Sequence, residues 1–175
     1  MGGGICNNNG GATALVTNGT EIHDNTANAG GGLANLSNST LTFSGFQIIN
    51  NHAIGGGGIL YYVGTGGGIL NFGTLNVTDV WIWNNDSLNE GGGIYTMNGN
   101  ATFTDVEIAG NISTGLQVGG GVYVRSGTAT FVSGNLINSN HAVANPSGNG
   151  AQVHEEGTLI KNENLNTWYD SICWE

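Results

Sequence analysis

Apolar and polar positions recur along the chain at intervals of 25 to 29 residues, with one longer interval. Each copy contains a glycine triplet, an apolar run, a polar turn, alternating apolar residues and a closing asparagine, as residues 91–111 show. A repeat of this length indicates stacked structural units that share one core. Two columns, one apolar and one polar, occur in five copies: Ile22, Ile48, Ile82, Ile108 and Ile137, and Asn25, Asn51, Asn85, Asn111 and Asn140.

Two further apolar columns recur at fixed places in the repeat. The first follows the glycine triplets and ends with Ala151, after a weaker triplet at residues 148–150. Its earlier members are Ile5, Leu33, Ile69, Ile94 and Val122. The second column contains Leu15, Leu41, Leu75, Ala101 and Ala129. Apolar positions that recur in this way are expected to face one continuous core.

The pattern predicts an all-β fold: a single-stranded right-handed parallel β-helix of about six coils over residues 1–160. Each copy has short runs of strand-forming residues separated by Asn, Asp and Gly, and none has apolar residues at helical spacing. The right-handedness follows from the general preference of parallel crossover connections. Residues 161–175 depart from the repeat and are rich in aromatic residues, so we expect a tail that acts as a cap or an intersubunit contact.

The glycine-glycine-apolar opening, with Phe43 or Phe103 upstream of a closing asparagine, resembles the repeats of chlamydial polymorphic outer-membrane proteins. It is also similar to the broad class of bacterial right-handed β-helix surface proteins and adhesins. The similarity covers about residues 2–160. It implies a β-helix fold and a role at a cell surface.

The asparagine column is expected to point inward at a turn, where each amide bonds the amides of the coils above and below. A buried amide needs hydrogen-bond partners, and a ladder supplies them without charge. The alternative is a polar binding strip. The glycine triplets are expected at corners that require positive φ or close backbone approach.

Composition limits the functions open to the chain. There are 33 glycines, but they do not occur at every third position, which excludes collagen. Arg125 and Lys161 are the only basic residues and the formal net charge is −10, which argues against nucleic acid, anionic lipid and polyanionic sugar as partners. No apolar run reaches the roughly 20 residues of a membrane span. No zinc or calcium spacing occurs, so we expect no metal and no cofactor.

Residues 55–68 hold two glycine triplets close together and lengthen one copy. An insertion of this kind projects from one face of a solenoid, often the binding face. Tyr61 and Tyr62 would then be presented outward as binding residues. The alternative is a hairpin that covers the side of its own coil.

Strand alternation places a second aromatic pair on the surface. If Ile82 points inward, Trp81 and Trp83 point outward. Exposed tryptophans indicate a surface that another molecule covers. The cover could be a sugar ring, another subunit or the aromatic tail of the chain itself.

Asp79 and Asp105 hold the same position in successive copies, so their carboxylates could stack and act as acid and base in a polysaccharide hydrolase or lyase. The equivalent residues elsewhere are Gly19, Gly45 and Gly134. This column also fits a turn at which aspartate is an ordinary choice.

Cys6 and Cys173 lie near opposite ends of the sequence. Six coils of about 4.8 Å would separate them by roughly 25 to 30 Å, whereas a disulfide needs Cα atoms within about 7 Å. We favour an intermolecular bond between Cys173 of one molecule and Cys6 of the next. An intrachain bond through a returning tail, and two free thiols, are the alternatives.

Asn-x-Ser/Thr sequons occur at seven positions. Asn85 and Asn111 belong to the expected ladder and should be unmodified. The other five are accessible glycosylation candidates: Asn18, Asn35, Asn38, Asn76 and Asn100.

Three functions are compatible with these features. The first is an extracellular structural protein, because a chain that starts in mid-repeat leaves an open coil end, and a head-to-tail contact there propagates into a homopolymeric filament. The second is a cell-surface adhesin segment that binds glycans through the two aromatic pairs. The third, a polysaccharide-active enzyme, would use the two aspartates; we expect that the chain is not an enzyme.

Overall fold

The computed structural model describes residues 1–8, 10–17, 19, 21–56, 62–115, 119–143, 152–161, 167–168 and 172–174. These residues form short strands and, in the described ranges, no helix. Every strand pair is parallel, and three sheets run the length of a β-solenoid of about five turns. The all-β parallel solenoid predicted from the repeat is confirmed, with about one turn fewer than expected.

The strands in chain order are β1 Ile5–Asn7, β2 Thr13–Val16, β3 Glu21–His23, β4 Thr26–Ala27, β5 Leu33–Asn35, β6 Thr40–Ile49, β7 His52–Ala53, β8 Ile69–Asn71, β9 Thr74–Trp83, β10 Asp86–Ser87, β11 Ile94–Thr96, β12 Gly99–Ala109, β13 Ile112–Ser113, β14 Val122–Val124, β15 Gly127–Ser133, β16 Leu136–Asn138, β17 His141–Ala142, β18 Val153–Glu155, β19 Thr158–Lys161, β20 Thr167–Trp168 and β21 Ile172–Trp174. Each of the first five turns contributes one short strand to a seven-stranded sheet, a long or divided strand to a nine-stranded sheet, and two residues to a five-stranded sheet. In the described residues, β18 to β21 extend only the first two of these sheets.

The core consists of apolar side chains from equivalent positions, stacked along the axis of the solenoid. Ile22, Ile48, Ile82, Ile108 and Ile137 are paired strand to strand in register and are buried. The aromatic members stack as well, and the ring centroids of Phe103 and Phe131 lie 4.8 Å apart. Because each coil alone would expose these side chains, burial against the neighbouring coils drives the stacking.

Two of the predicted column members are wrong by one or two positions. Ala14, not Leu15, pairs with Leu41, and Leu15 points outward with 68% of its surface exposed. Successive side chains of a strand point to opposite faces of the sheet. Ala14 therefore faces the core and Leu15 faces the solvent. At the other end, Val153 pairs with Val122. Ala151 lies outside the described residues.

The asparagine column forms a continuous ladder in which each side-chain amide donates to the amide oxygen of the next coil. The Nδ2–Oδ1 distances are 3.0 Å for Asn25–Asn51, 2.9 Å for Asn51–Asn85, 2.9 Å for Asn85–Asn111 and 2.9 Å for Asn111–Asn140. Asn140 Nδ2 in turn donates to Gln152 Oε1 at 2.7 Å. The same amide oxygens also accept backbone N–H bonds, as from Asn51 N to Asn85 Oδ1 at 3.0 Å. The buried amides are therefore paired without any charged group.

A second, shorter asparagine ladder lies in the seven-stranded sheet. Asn7 donates to Asn35 at 3.0 Å, and Asn35 donates to Asn71 at 2.9 Å. The amides of Asn7 and Asn35 also bond the backbone carbonyls of Thr40 and Thr74. This ladder joins the seven-stranded sheet to the start of the nine-stranded sheet in the next coil.

The glycine triplets form the corner between the five-stranded and seven-stranded sheets. Gly66 begins one triplet at φ +65°, a left-handed conformation that favours glycine. A Cβ atom on the middle residue, Gly67, would lie 2.3 to 2.4 Å from the backbone oxygens of Gly92 and Asp86. Only glycine allows the backbone to approach this closely.

A second corner divides the nine-stranded sheet into two faces. Asp79 and Asp105 adopt φ values of 54° and 53°, and Gly45 and Gly134 occupy the same place with φ values of 69° and 66°. Left-handed residues at this point bend β6, β9 and β12 between their two halves. Residues 74–78 of β9 thus belong to one outer face and residues 80–83 to the other.

The strand pairing continues into the segment expected to be a non-repeat tail. β19 pairs with β15 as far as Lys161, β20 pairs with β16, and β21 pairs with β18. The expected boundary at residue 160 therefore does not coincide with an end of the pairing.

Replacing Asn85 with alanine is predicted to destabilise the solenoid strongly. The variant loses bonds to Asn51, Asn111 and the carbonyl of Ile48 and leaves buried groups unpaired. Each such group costs about 1–3 kcal/mol, so we expect the free energy of unfolding to fall by roughly 3 kcal/mol or more. Urea unfolding followed by circular dichroism measures the change.

The control for this prediction is Asn100→Ala, at an exposed position of β12. We expect it to change the free energy of unfolding by less than about 0.5 kcal/mol. Similar losses in the two variants would contradict the role assigned to the ladder.

Candidate functional site

An exposed aromatic surface lies on the second face of the nine-stranded sheet, at the end of β9. Trp81 and Trp83 both point outward, and their rings stack with centroids 5.1 Å apart and planes inclined by 6°. Trp83 is half-buried, whereas 44% of the surface of Trp81 is exposed. One side of the Trp81 ring is thus supported by Trp83, and the ring remains available to solvent.

Polar side chains flank Trp81 in the strand register. Gln47 of β6 pairs with Trp81 on one side, and Glu107 of β12 pairs with it on the other. A groove of about 280 Å³ runs along this surface. Its lining residues are Gly45, Phe46, Gln47, Asp79 and Trp81. The groove therefore combines one exposed indole ring with the Asp79 carboxylate of the same strand and the Gln47 amide of the neighbouring strand.

Asp79 and Asp105, the catalytic candidates, occupy the left-handed corner that precedes this face. Both are exposed, and the corner position is glycine in the coils on either side of them. The side chain of Asp105 lies over Gly134, where a Cβ atom would touch its carboxylate. Both aspartates are therefore turn residues at the corner, and of the two only Asp79 lines the groove beside Trp81.

The tyrosines of the insertion do not join the tryptophans. Tyr61 lies outside the described residues. The ring of Tyr62 packs edge-on against Phe72 at 4.9 Å, beside the apolar cluster that covers the outer side of the seven-stranded sheet. Tyr62 therefore covers the side of its own solenoid, as the hairpin alternative expects, and is not presented with Trp81.

A stacked column that the repeat pattern did not predict lies on the outer side of the seven-stranded sheet. Tyr95, Tyr123 and His154 pair in register, with ring centroids 5.5 Å and 4.9 Å apart. Tyr123 Oη donates to Glu156 Oε1 at 2.5 Å, and His154 Nε2 lies 4.0 Å from the same oxygen. The shared repeat position of the three rings was the available signal.

Burial dominates the electrostatics of this aromatic column. It raises the pKa of Tyr123 far above its ordinary value, and the hydrogen bond to Glu156 acts in the same direction. Burial also raises the pKa of Glu90, an effect that Arg125 opposes and Glu156 reinforces. Because both tyrosines are fully buried, the column acts as packing and not as an open site.

The described residues contain no group of three or more His, Cys, Asp or Glu side chains that could hold a metal ion. The closest pairing of such side chains joins two coils, where His52 Nδ1 contacts Asp86 Oδ1. Within the same ranges, no helix has the length and apolar character to cross a membrane.

One glycosylation candidate is wrong. Asn35 is fully buried in the second asparagine ladder, so a glycan could not be accommodated there. Asn38 and Asn100 are exposed and Asn76 is half-buried on the outer face, so they stay candidates. Asn18 lies outside the described residues.

The two cysteines hold equivalent positions at opposite ends of the seven-stranded sheet. Cys6 of β1 is exposed and forms no disulfide, and its backbone lies in register with that of Ala34 in β5. Cys173 of β21 pairs in backbone register with His154 of β18. Six strand spacings of about 4.8 Å separate β1 from β21, or roughly 29 Å, which is too far for a disulfide within one chain.

No family model matches this chain, and no curated protein or solved structure matches it either. The structure supports the β-helix part of the resemblance, and membership of the chlamydial repeat family stays a prediction.

Replacing Glu90 with glutamine is predicted to stabilise the protein at neutral pH. The raised pKa means that the folded protein binds this proton more tightly than the unfolded chain, so stability falls as pH rises from 4.5 through the folded pKa. Glutamine does not titrate, so it removes this loss of stability. The free energy of unfolding of the variant should therefore exceed that of the wild type at neutral pH, but not below pH 4.5.

Urea midpoints measured in both pH ranges test this prediction. Glu21→Gln, at an exposed strand position, is the matched control. An equal gain in the two variants, or a gain of Glu90→Gln that is independent of pH, would contradict the assignment of the effect to burial.

Proposed function

We propose that this chain is an extracellular β-solenoid that binds carbohydrate in the groove beside Trp81. The observation that carries the proposal is the exposed Trp81 ring, held in register between Gln47 and Glu107. In this proposal the chain is a binding protein and not an enzyme.

The chemistry of the groove matches that of a sugar ring. A pyranose has an apolar face of C–H groups and an edge of hydroxyl groups. The C–H face can pack on the electron-rich face of the Trp81 indole. In the groove the Asp79 carboxylate can accept hydrogen bonds from hydroxyl groups, and the Gln47 amide can both donate and accept; Glu107, paired with Trp81, adds a second carboxylate beside the ring. An aromatic surface with a few placed polar groups is the usual composition of a ligand site.

Charge restricts the kind of sugar that fits. Asp79 and Glu107 flank Trp81, and the chain carries a formal net charge of −10. Anionic sugars would meet repulsion at this surface, whereas neutral or amine-bearing sugars would not. The proposed ligand is therefore a neutral or amino-sugar glycan.

The scaffold holds these groups in place before the ligand arrives. Gln47, Trp81 and Glu107 lie on three hydrogen-bonded parallel strands, and Trp83 supports the indole from behind. A site built on strands loses little conformational freedom when it binds, which favours affinity.

Replacing Trp81 with alanine is predicted to weaken glycan binding by about tenfold, because an aromatic contact contributes roughly 0.5–1.5 kcal/mol and the apolar area that it buries adds to this. Trp81→Phe should keep part of the affinity. A glycan array of neutral and amino sugars, followed by calorimetry on the strongest ligand, measures the effect.

Val132→Ala, which truncates an exposed apolar side chain of β15, is the control and should bind like the wild type. If the Trp81→Ala variant retained the affinity of the wild type, or if only anionic glycans bound, the proposal would fail.

A second proposal, axial association into a fibre, is favoured by the register of the two cysteines. If β21 of one copy added to β1 of another as the next parallel strand, Cys173 and Cys6 would be neighbours in that column. Strands lie about 4.8 Å apart, a Cα separation within the range of disulfides. Such a contact is heterologous and propagates along the axis.

Under oxidising conditions we predict a ladder of disulfide-linked oligomers on non-reducing gels, lost on reduction. Cys6→Ser should remove the ladder, because the bond needs one cysteine of each kind. If the Cys6→Ser variant still forms fibres by negative-stain microscopy, axial stacking does not depend on the disulfide. Discrete monomers of the oxidised wild type would contradict the proposal.

A further inference from the structure

The first face of the nine-stranded sheet carries a two-dimensional array of hydroxyl-bearing side chains. The array lies before the Asp79 corner, apart from the Trp81 groove, and it has three outward columns. The first column is Thr13, Thr40, Thr74, Asn100, Thr128 and Thr158. The second is Leu15, Thr42, Asn76, Thr102, Thr130 and Ile160. The third is Ser44, Thr78, Thr104 and Ser133.

The strand register makes this array regular in both directions from β6 to β12, and the register shifts at Thr104 where β12 pairs with β15. Along a column, neighbouring residues lie on paired strands about 4.8 Å apart. Along a strand, outward residues alternate with core residues, so they repeat at about 6.6 Å. From β6 through β9 to β12 the pairing of this face has no register shift. The hydroxyl groups therefore form a nearly rectangular lattice.

The array is uncharged and mostly hydroxyl-bearing: of its 16 positions ten are threonine and two are serine, and the others are Leu15, Asn76, Asn100 and Ile160. Each threonine presents one methyl group and one hydroxyl group, and no acid or base occupies any of the three columns. In the described part of the chain, the hydroxyl groups of Thr74, Thr102 and Thr130 make no hydrogen bond to another protein group. The β-branched side chains have few rotamers, so the lattice is held rigidly.

We infer that this threonine array binds the surface of ice. Its occupant must itself repeat in two dimensions, because the array does. A glycan chain repeats along one direction only, and a protein surface has no lattice. The spacing across the strands is close to an oxygen–oxygen repeat in the surface planes of hexagonal ice. Methyl groups that order nearby water, and hydroxyl groups that anchor it, suit an uncharged crystalline surface.

The test uses nanolitre osmometry on the full chain, which measures the gap between melting and freezing temperatures and shows the shape of the ice crystal. We expect the wild type to produce a gap and faceted crystals. Thr102→Lys places a long charged side chain in the middle of the array and should abolish both. Thr26→Lys makes the same change at an exposed position of β4, in the five-stranded sheet, and should retain both.

Two further variants keep the result interpretable. Thr102→Ser removes only the methyl group and leaves the strand pairing intact, so it should fold and show a smaller temperature gap. This variant keeps the inference testable if the lysine variant fails to fold. Trp81→Ala should leave ice activity unchanged, which separates this site from the proposed sugar groove. Absence of a temperature gap in the wild type would overturn the inference, as would an undiminished gap in both Thr102 variants. Binding to crystalline cellulose or chitin without ice activity would also overturn it.

Discussion

Hydrogen bonding between the asparagine amides of successive coils is the constraint on which the rest of the structure depends. Asn85 illustrates it: its amide donates to Asn111 and to the carbonyl of Ile48, and its oxygen accepts from the backbone and side chain of Asn51. An amide in this position satisfies buried groups of three successive coils without introducing charge. Slippage of one coil against the next would leave all of these groups unpaired, so the ladder fixes the register.

A fixed register orders the surface as strictly as the core. Once Ile48, Ile82 and Ile108 are stacked, the alternation of strand side chains requires that Gln47, Trp81 and Glu107 also be stacked. The solenoid therefore displays side chains in columns whatever their chemistry. A ligand site on such a protein is assembled from residues about one repeat apart in sequence, which explains why no local motif marks it.

The repeat was sufficient to predict the fold, because apolar and asparagine columns determine both the strand pairing and the direction of stacking. It was insufficient wherever a strand is buried on both faces. In β5 all three residues are buried, so no alternation distinguished Asn35, which bonds other coils, from an exposed turn asparagine. The column of Tyr95, Tyr123 and His154 escaped notice for the same reason. The slip at Leu15 arose where Ala14 and Leu15 are both apolar, and pattern alone does not choose between them.

At the left-handed corner of Asp79 and Asp105, the conformation that the fold requires can be distinguished from the carboxylates that a function could use. Glycine meets the demand of the corner, as Gly45 and Gly134 show, so a carboxylate at this position is not needed for the fold. Aspartate tolerates the left-handed conformation at modest strain, and it adds a charged oxygen at the edge of the Trp81 groove. The same bend turns the threonine face away from the tryptophan face. One backbone feature thus creates two surfaces of different chemistry, one polar and uncharged, the other aromatic and acidic, on a single sheet.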